Sequence, residues 1–161
     1  MTTEQAPARP VTVTTPRELE IRIERVFAAP RERVFAAFTD PELIPQWWGD
    51  TTTVEHMDVR AGGTWRFNAR YPNGWETSFS GTYREVAPPE RIVQTFEAAH
   101  MPGQSHVETT TFEDLGGQTR LTVAMLFNTT EQRDHLLASG AEQGATQTYA
   151  RLDALLARLA A

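Results

Sequence analysis

The order of structural patterns along this chain constrains its fold more than any other feature. One strand pattern comes first, two short helical patterns follow, and six strand-like runs then precede one long helical pattern. The turn signals between the runs are short, which favours antiparallel neighbours over parallel crossovers. An antiparallel sheet that curves around one helix leaves a hollow between the two, so this order predicts an α+β fold with an internal cavity.

Alternation marks the beginning of the folded part of the chain. Leu19, Ile21 and Ile23 alternate with charged residues, which is the period of a strand with one buried face. Residues 1–16 are rich in Thr, Pro and Ala without such a pattern, and we expect a disordered tail there. A single domain is expected over 17–161, because 161 residues with 40% apolar content suffice for one buried core and are few for two.

Two short helices are predicted directly after the first strand. Pro30 suits the first turn of a helix, and apolar residues recur at helical spacing over 31–39. Asp40 followed by Pro41 repeats this start signal, with Asp40 as the cap. The second short helix is expected to end near Pro45, because the residue before a proline is pushed out of the helical conformation.

The middle of the chain is predicted to be an antiparallel meander. Its turns are Ala61–Gly62–Gly63, Pro72–Asn73–Gly74, Pro88–Pro89–Glu90 and Leu115–Gly116–Gly117. Its strand-like runs cover 52–59, 64–71, 75–86, 91–97, 106–113 and 119–127. We expect a curved sheet of six to seven strands in all. The paired glycines are interpreted as hairpin turns rather than phosphate-binding loops, because no helix start or lysine follows them.

The last pattern predicts one long helix from Thr129 or Thr130 to Ala160. A stripe of apolar and small residues recurs every three or four positions, and it includes Leu137, Ala141, Gly144, Thr148, Leu152 and Leu159. Gly140 and Gly144 lie inside this pattern, where each costs about 1 kcal/mol relative to alanine. Two explanations stay open at this point, namely close contact between helix and sheet, or room for a ligand against the sheet.

Composition excludes several kinds of partner. The formal net charge is −6, all 15 basic residues are arginine, and no basic run occurs, so a nucleic-acid partner is not expected. The absence of cysteine and the scattered positions of the four histidines predict no metal site and no cofactor. No apolar run is long enough to predict membrane insertion, and no signal-peptide pattern occurs, so a cytoplasmic location is expected.

Large side chains on the predicted cavity face form the candidate ligand-binding set. It comprises Trp47, Trp48, Trp65, Phe67, Trp75, Phe79, Met125, Phe127, Gly144 and Tyr149. Ordinary core is the favoured explanation for any single ring, but the whole set is large for one small layer and favours a partly open cavity. Of the adjacent Trp47 and Trp48, we expect one to pack in the core and the other to lie at the cavity mouth.

Several motifs resemble the START-like helix-grip superfamily, also called SRPBCC. They are FAAFTDPE at 35–42, WW at 47–48, DVRAGG at 58–63, GTYREVAPPERIV at 81–93 and GQTRL at 117–121. The branch that they resemble most is that of bacterial proteins similar to the activator of heat-shock protein 90 ATPase. This resemblance spans 19–160 and implies a curved sheet around a long C-terminal helix. The motifs are mostly turn and core residues, so they specify fold more than function.

No catalytic set is identified from the residues. Glu97, His106 and Glu108 are polar positions in predicted strands, and any that faced the cavity could serve as a general acid or base. An exposed sheet face is the favoured explanation for each of them. Arg66 and Arg70 are expected to point to solvent, and no serine lies in a nucleophile elbow.

Three functions remain after this reasoning. Binding of a small hydrophobic or amphipathic molecule is ranked first, because it is the usual role of such a cavity. The resemblance also permits an enzyme similar to polyketide cyclases or dehydratases, which would need an acid–base pair facing the cavity. A co-chaperone-like role with a protein partner, implied by the branch of the superfamily, is ranked third.

Overall fold

The structure, a computed structural model, describes residues 11–49 and 51–160. Eight strands form one antiparallel sheet in the order β1-β2-β8-β7-β6-β5-β4-β3. The strands are β1 (Thr12–Thr14), β2 (Glu20–Phe27), β3 (Thr51–Met57), β4 (Thr64–Arg70), β5 (Glu76–Ala87), β6 (Arg91–Ala98), β7 (His106–Asp114) and β8 (Thr119–Leu126). The helices are α1 (Arg31–Thr39), a 3-10 helix (Ile44–Gln46), α2 (Thr130–Ala138) and α3 (Ala141–Ala160). The predicted α+β helix-grip architecture is confirmed.

The sheet has one strand more than the upper end of the prediction. The additional strand, β1, lies inside the segment that was expected to be a disordered tail, and it pairs with Arg22 to Glu24 of β2. Val11 is buried and Val13 packs against the core, so two valines are enough to hold this short edge strand. Alternation over so few residues is too weak a signal to predict a strand. Residues 1–10 of the predicted tail lie outside the described residues.

The second short helix differs from its prediction. Asp40 does accept the backbone N–H of Glu42 at 2.9 Å, as expected of a capping residue. However, residues 41–43 form a turn, and helical geometry is limited to the 3-10 helix that contains Pro45. Two prolines in five residues remove backbone donors that a continuous α-helix requires, which explains the tighter and shorter element.

The predicted closing helix is divided into α2 and α3. Gly140 separates them with φ of 88°, a left-handed conformation that glycine adopts without steric cost. The prediction that Gly140 lies inside a continuous helix is therefore wrong. The two helices also pack differently, because α2 buries none of its residues whereas α3 buries Tyr149, Leu152, Leu155 and Leu156.

One end of the concave sheet face is covered by a closed apolar core, and the other end carries polar residues. Phe27, Leu121 and Leu152 are almost completely buried and belong to the core that the C-terminal half of α3 covers. Across β5, β6, β7 and β8, antiparallel register aligns one residue from each strand in a row, which runs Tyr83, Gln94, Glu108 and Met125. This row crosses the sheet under the N-terminal half of α3, where the candidate site lies.

Candidate functional site

A cavity of about 440 Å³, here called the main cavity, lies between the concave sheet face and the N-terminal half of α3. Its apolar walls include Phe38, Trp47, Trp48, Phe67, Phe79, Phe96, Val123 and Met125. Its polar lining includes Tyr83, Gln94, His106, Glu108, Thr110, Thr148 and Tyr149. Cavities of a few hundred cubic ångströms with apolar walls and a few polar groups are typical of sites for small molecules.

The two adjacent tryptophans have different roles in this wall. Trp47 is buried, and its indole N–H donates to the carbonyl oxygen of Ala37 at 2.9 Å, which fixes it against α1. Trp48 is half-buried and forms edge contacts with Phe67 and Phe79, each at 5.1 Å between ring centroids. The expectation that one tryptophan packs is confirmed for Trp47. A position of Trp48 at the cavity mouth stays a prediction.

Small residues of α3 border the main cavity at positions where larger side chains would fill it. Gly144 lines the cavity, and a β-carbon built on it would meet no atom within 4 Å. Ala141 and Ala145 line the same side. Of the two explanations that the sequence left open for Gly144, close contact with the sheet is therefore wrong, and open space beside the helix is the arrangement observed.

His106 and Glu108 form the principal polar pair of the main cavity. The Nε2 atom of His106 lies 2.9 Å from Oε1 of Glu108, and the two side chains are only 9% and 18% exposed. The favoured expectation of an exposed face is wrong for these two residues. A signal was present in the sequence, because residues two apart share a sheet face and Thr110 and Phe112 of the same strand are buried. Glu97 lies in β6, one position after Phe96, which lines the cavity. Its side chain is therefore on the other face of the sheet, and Glu97 does not line the cavity.

Two tyrosines present hydroxyl groups to the same space. Burial raises the pKa of Tyr83 above its ordinary value. Burial also raises the pKa of Tyr149, the negative charge of Glu108 raises it further, and Arg25 opposes this effect. Within the described part of the chain, neither hydroxyl has a hydrogen-bond partner. Both groups are therefore neutral donors at physiological pH and are available to an acceptor in the cavity.

The backbone of α3 is anchored firmly beside this polar lining. The guanidinium of Arg25 donates to the carbonyl oxygen of Tyr149 at 3.0 Å and forms an ion pair with Asp153. Arg151 donates to the carbonyl oxygen of Trp47 at 3.1 Å, which connects α3 to the end of the 3-10 helix. These contacts position the cavity-lining part of α3 relative to both the sheet and the tryptophan pair.

A family profile matches most of the chain. The family is described as Activator of Hsp90 ATPase homolog 1-like protein, and the match covers residues 28–157. The chain belongs to this family. The predicted resemblance to its helix-grip branch is thereby confirmed. None of the curated proteins compared with the chain matches it.

Solved structures agree with membership in the Activator of Hsp90 ATPase homolog 1-like family. A protein from Rhodobacter sphaeroides is 25% identical with a TM-score of 0.83, over 92% of this chain and 99% of that one. Protein Ms6760 from Mycobacterium smegmatis is 25% identical with a TM-score of 0.82, over 91% and 97%. Protein CV1439 from Chromobacterium violaceum is 28% identical with a TM-score of 0.76, over 87% and 98%.

In this family member, most residues of the predicted ligand-binding set line the main cavity. They are Trp47, Trp48, Phe67, Phe79, Met125, Gly144 and Tyr149. Ligand binding by these residues stays a prediction, since their geometry alone is observed.

The other three residues of the set do not line the main cavity. Trp65 is 1% exposed and lies behind it, in contact with Phe67 at 4.7 Å. Trp75 precedes β5 in a turn, is 45% exposed and stacks on Tyr71 at 5.0 Å. Phe127 lies just past β8, where it borders a neighbouring chamber instead. Strand alternation could not place Trp75, because it lies outside the strands. Phe127 does continue the buried alternation of Leu121, Val123 and Met125, but it borders the neighbouring chamber.

In residues 11–49 and 51–160, no cluster of three or more His, Asp or Glu side chains could hold a metal ion. In the same two segments, no helix is both long and apolar enough to cross a bilayer.

Proposed function

We propose that this protein binds a small amphipathic molecule with an uncharged polar group in the main cavity. The observation that carries the proposal is the cavity of about 440 Å³, whose aromatic walls enclose a short row of polar side chains. Apolar surface supplies most of the affinity of such sites, and a few fixed polar groups supply orientation. The Tyr83 and Tyr149 hydroxyls and the Gln94 amide offer hydrogen bonds to an oxygen of the ligand.

The charge of the lining supports an uncharged ligand. Glu108 is the acidic side chain among the described lining residues, and its negative charge would repel a carboxylate ligand. Apart from His106, the basic side chain among the described lining residues is Arg70, which already pairs with Glu76 at 2.7 Å. A carboxylate ligand would therefore lose hydration without gaining a cationic partner.

Gly144 provides the sharpest test of this proposal. A leucine at this position would extend into the main cavity without touching another atom of the protein at its β-carbon, so the fold should tolerate it. We expect Gly144→Leu to weaken binding of the neutral fluorescent probe N-phenyl-1-naphthylamine on the order of tenfold, which is about 1.4 kcal/mol. We also expect 1-decanol to displace the probe from the wild type at lower concentration than decanoate does.

Ala154→Leu is the matched control for this experiment. It adds the same atoms to the same helix at an exposed position outside the cavity, and it should leave probe binding unchanged. Thermal unfolding of both variants checks that each is folded. Wild-type affinity in Gly144→Leu would place the probe outside the main cavity and refute the proposal. Equal displacement by decanoate and decanol would refute the preference for an uncharged group.

Acid–base catalysis in the same cavity is the second candidate function. The observation that favours it is the hydrogen bond between His106 and Glu108 inside the cavity wall, since a carboxylate orients a histidine and stabilises its protonated form. In such a reaction His106 would accept a proton from the bound molecule while a tyrosine hydroxyl donated to its oxygen. Binding remains the main proposal, because it requires only the observed lining. The co-chaperone-like role rests on the family relationship alone.

A further inference from the structure

A second cavity adjoins the main cavity. It has a volume of about 310 Å³ and lies beneath α2, and we call it the side chamber. Ala98, Met101, Gln104, Phe127, Gln132 and Ser139 are among the residues that line this chamber and not the main cavity. Four other residues, namely Phe79, Phe96, His106 and Leu136, line both spaces. The two cavities therefore meet at a common wall instead of lying on separate faces of the protein.

His106 lies at this junction between apolar rings. Its ring centroid is 5.1 Å from that of Phe96 and 4.8 Å from that of Phe127. Phe79 contacts Phe96 at 5.5 Å, which extends the aromatic wall along β5. The polar pair of His106 and Glu108 thus has an apolar space on either side of it, the aromatic main cavity in one direction and the side chamber in the other.

Hydrogen bonds help to hold the roof of the side chamber. Gln132 of α2 donates from Nε2 to the carbonyl oxygens of Gln104 at 2.9 Å and Ser105 at 3.2 Å. Asn128 donates to the same Ser105 oxygen at 2.9 Å. None of the residues of α2 is fully buried, and of its apolar side chains Leu136 packs against the core. These hydrogen bonds therefore supplement limited packing above the chamber.

We propose that the main cavity and the side chamber form one site for an elongated amphipathic molecule. Its polar group lies in the main cavity, at the Tyr83 and Tyr149 hydroxyls and the Gln94 amide. An unbranched apolar tail extends past His106 beneath α2. The position of the polar group rests on the proposed function given above. An unbranched tail suits this route, because it has to pass through the common wall, where Phe96 and Phe127 flank His106.

A series of n-alkanols from hexanol to tetradecanol tests this proposal. In the wild type, each methylene that becomes buried should raise the affinity about fourfold, because it contributes about 0.8 kcal/mol. Ala98→Phe and Ser139→Phe each place a ring in the side chamber, from the sheet and from the end of α2. In both variants we expect hexanol to bind with wild-type affinity. We also expect the increase in affinity with each added methylene to stop at a chain length several carbons shorter than in the wild type. Affinities come from displacement of N-phenyl-1-naphthylamine.

The controls separate the two proposals. Ala154→Phe adds the same ring at an exposed position of α3 and should reproduce the wild-type series. If both chamber variants gain affinity with chain length as the wild type does, the side chamber does not hold the tail and this inference is overturned, while the proposed function stands. If no alkanol of any length displaces the probe from the wild type, both proposals fail together. Two chamber variants are used so that one misfolded protein does not decide the result.

Discussion

Tyr149 lines the main cavity, and its hydroxyl group forms no hydrogen bond with the described residues of the protein. The ring packs edge-on against Phe27 at 5.5 Å, and its backbone carbonyl accepts from Arg25 at 3.0 Å. Neither contact involves the hydroxyl, and no other described residue is bonded to it. An unpartnered hydroxyl that lines a cavity can donate a hydrogen bond to an oxygen of a ligand.

Tyr149→Phe should therefore reduce ligand affinity without reducing stability. We expect binding of 2-decanone to weaken by about 0.5–1.5 kcal/mol, the usual value of one hydrogen bond. The free energy of unfolding in urea should change by less than about 0.5 kcal/mol, since no hydrogen bond within the protein is lost. Unchanged affinity for the ketone would show that this hydroxyl does not face the bound oxygen.

The same variant should change the stability of the protein in alkali. Burial raises the pKa of Tyr149 in the folded state, so the folded protein holds this proton more tightly than the unfolded chain does. The resulting stabilisation is complete below the unfolded pKa of about 10 and is lost as the pH rises above it. Tyr149→Phe should show a smaller loss of unfolding free energy between about pH 10 and about pH 12 than the wild type. The same dependence of unfolding free energy on pH in both proteins would contradict the raised pKa of Tyr149.

Residue-level prediction succeeded for apolar side chains such as Phe67 and Met125, which lie inside regular strands. Phe67 in β4 and Met125 in β8 were assigned to the correct face because strand alternation reports it directly. The same reasoning could have found His106 and Glu108, since they share the face of buried Phe112. An exposed face was the favoured interpretation because both side chains are polar. Trp75 could not be placed, because a turn residue follows no such alternation.

At the scale of elements, the two glycines near the start of α3 have opposite conformational requirements. Gly140 has φ of 88° and ends the continuity between α2 and α3, whereas Gly144 lies within α3 with ordinary helical geometry. The helical spacing of apolar residues continues across Gly140, so periodicity alone predicted one helix. Only the backbone conformation at residue 140 distinguishes one helix from two.

A pair of alanine substitutions tests this distinction. Gly144→Ala should increase the free energy of unfolding by about 0.5–1 kcal/mol, because alanine restricts the unfolded chain and its β-carbon meets no atom. Gly140→Ala should decrease it by about 1–2 kcal/mol, because a left-handed conformation is strained for alanine. Chemical denaturation measures both changes, and each variant is the control for the other. Changes of the same sign would contradict the assigned helix boundary.

At the scale of the whole molecule, the turns and the strand pattern largely specify the topology. Each predicted run of the meander corresponds to one observed strand, and Gly62, Gly74, Gly116 and Gly117 have the positive φ that their turns require. The volume of the cavity, unlike the topology, is not specified by the turns and the strand pattern. It depends on how strongly the sheet curves, and bulges after Val54 in β3 and after Tyr83 in β5 contribute to that curvature. A bulge leaves no reliable mark in a single sequence.

The concave sheet face is open to the main cavity under the N-terminal half of α3 and closed by core packing under its C-terminal half. This difference leads to a prediction about hydrogen exchange. Residues 141–149 of α3 border the main cavity, whereas Leu152, Leu155 and Leu156 pack on a core that is already closed. Saturating 1-decanol should therefore slow amide exchange in 141–149 and in 47–49, by suppressing local opening there, and change it much less in 152–160. Exchange followed by mass spectrometry measures this contrast within a single helix.

Gly144→Leu is the control for the exchange experiment, because a filled cavity should lose the protection that decanol provides. Equal protection along all of α3 would mean that the ligand stabilises the molecule globally rather than at the main cavity. Protection confined to β1 and β2, at the opposite edge of the sheet from β3, would place the ligand elsewhere and contradict the proposed site. Protection of 141–149 that also extends to α2 would be the pattern expected of a molecule that occupies the side chamber as well.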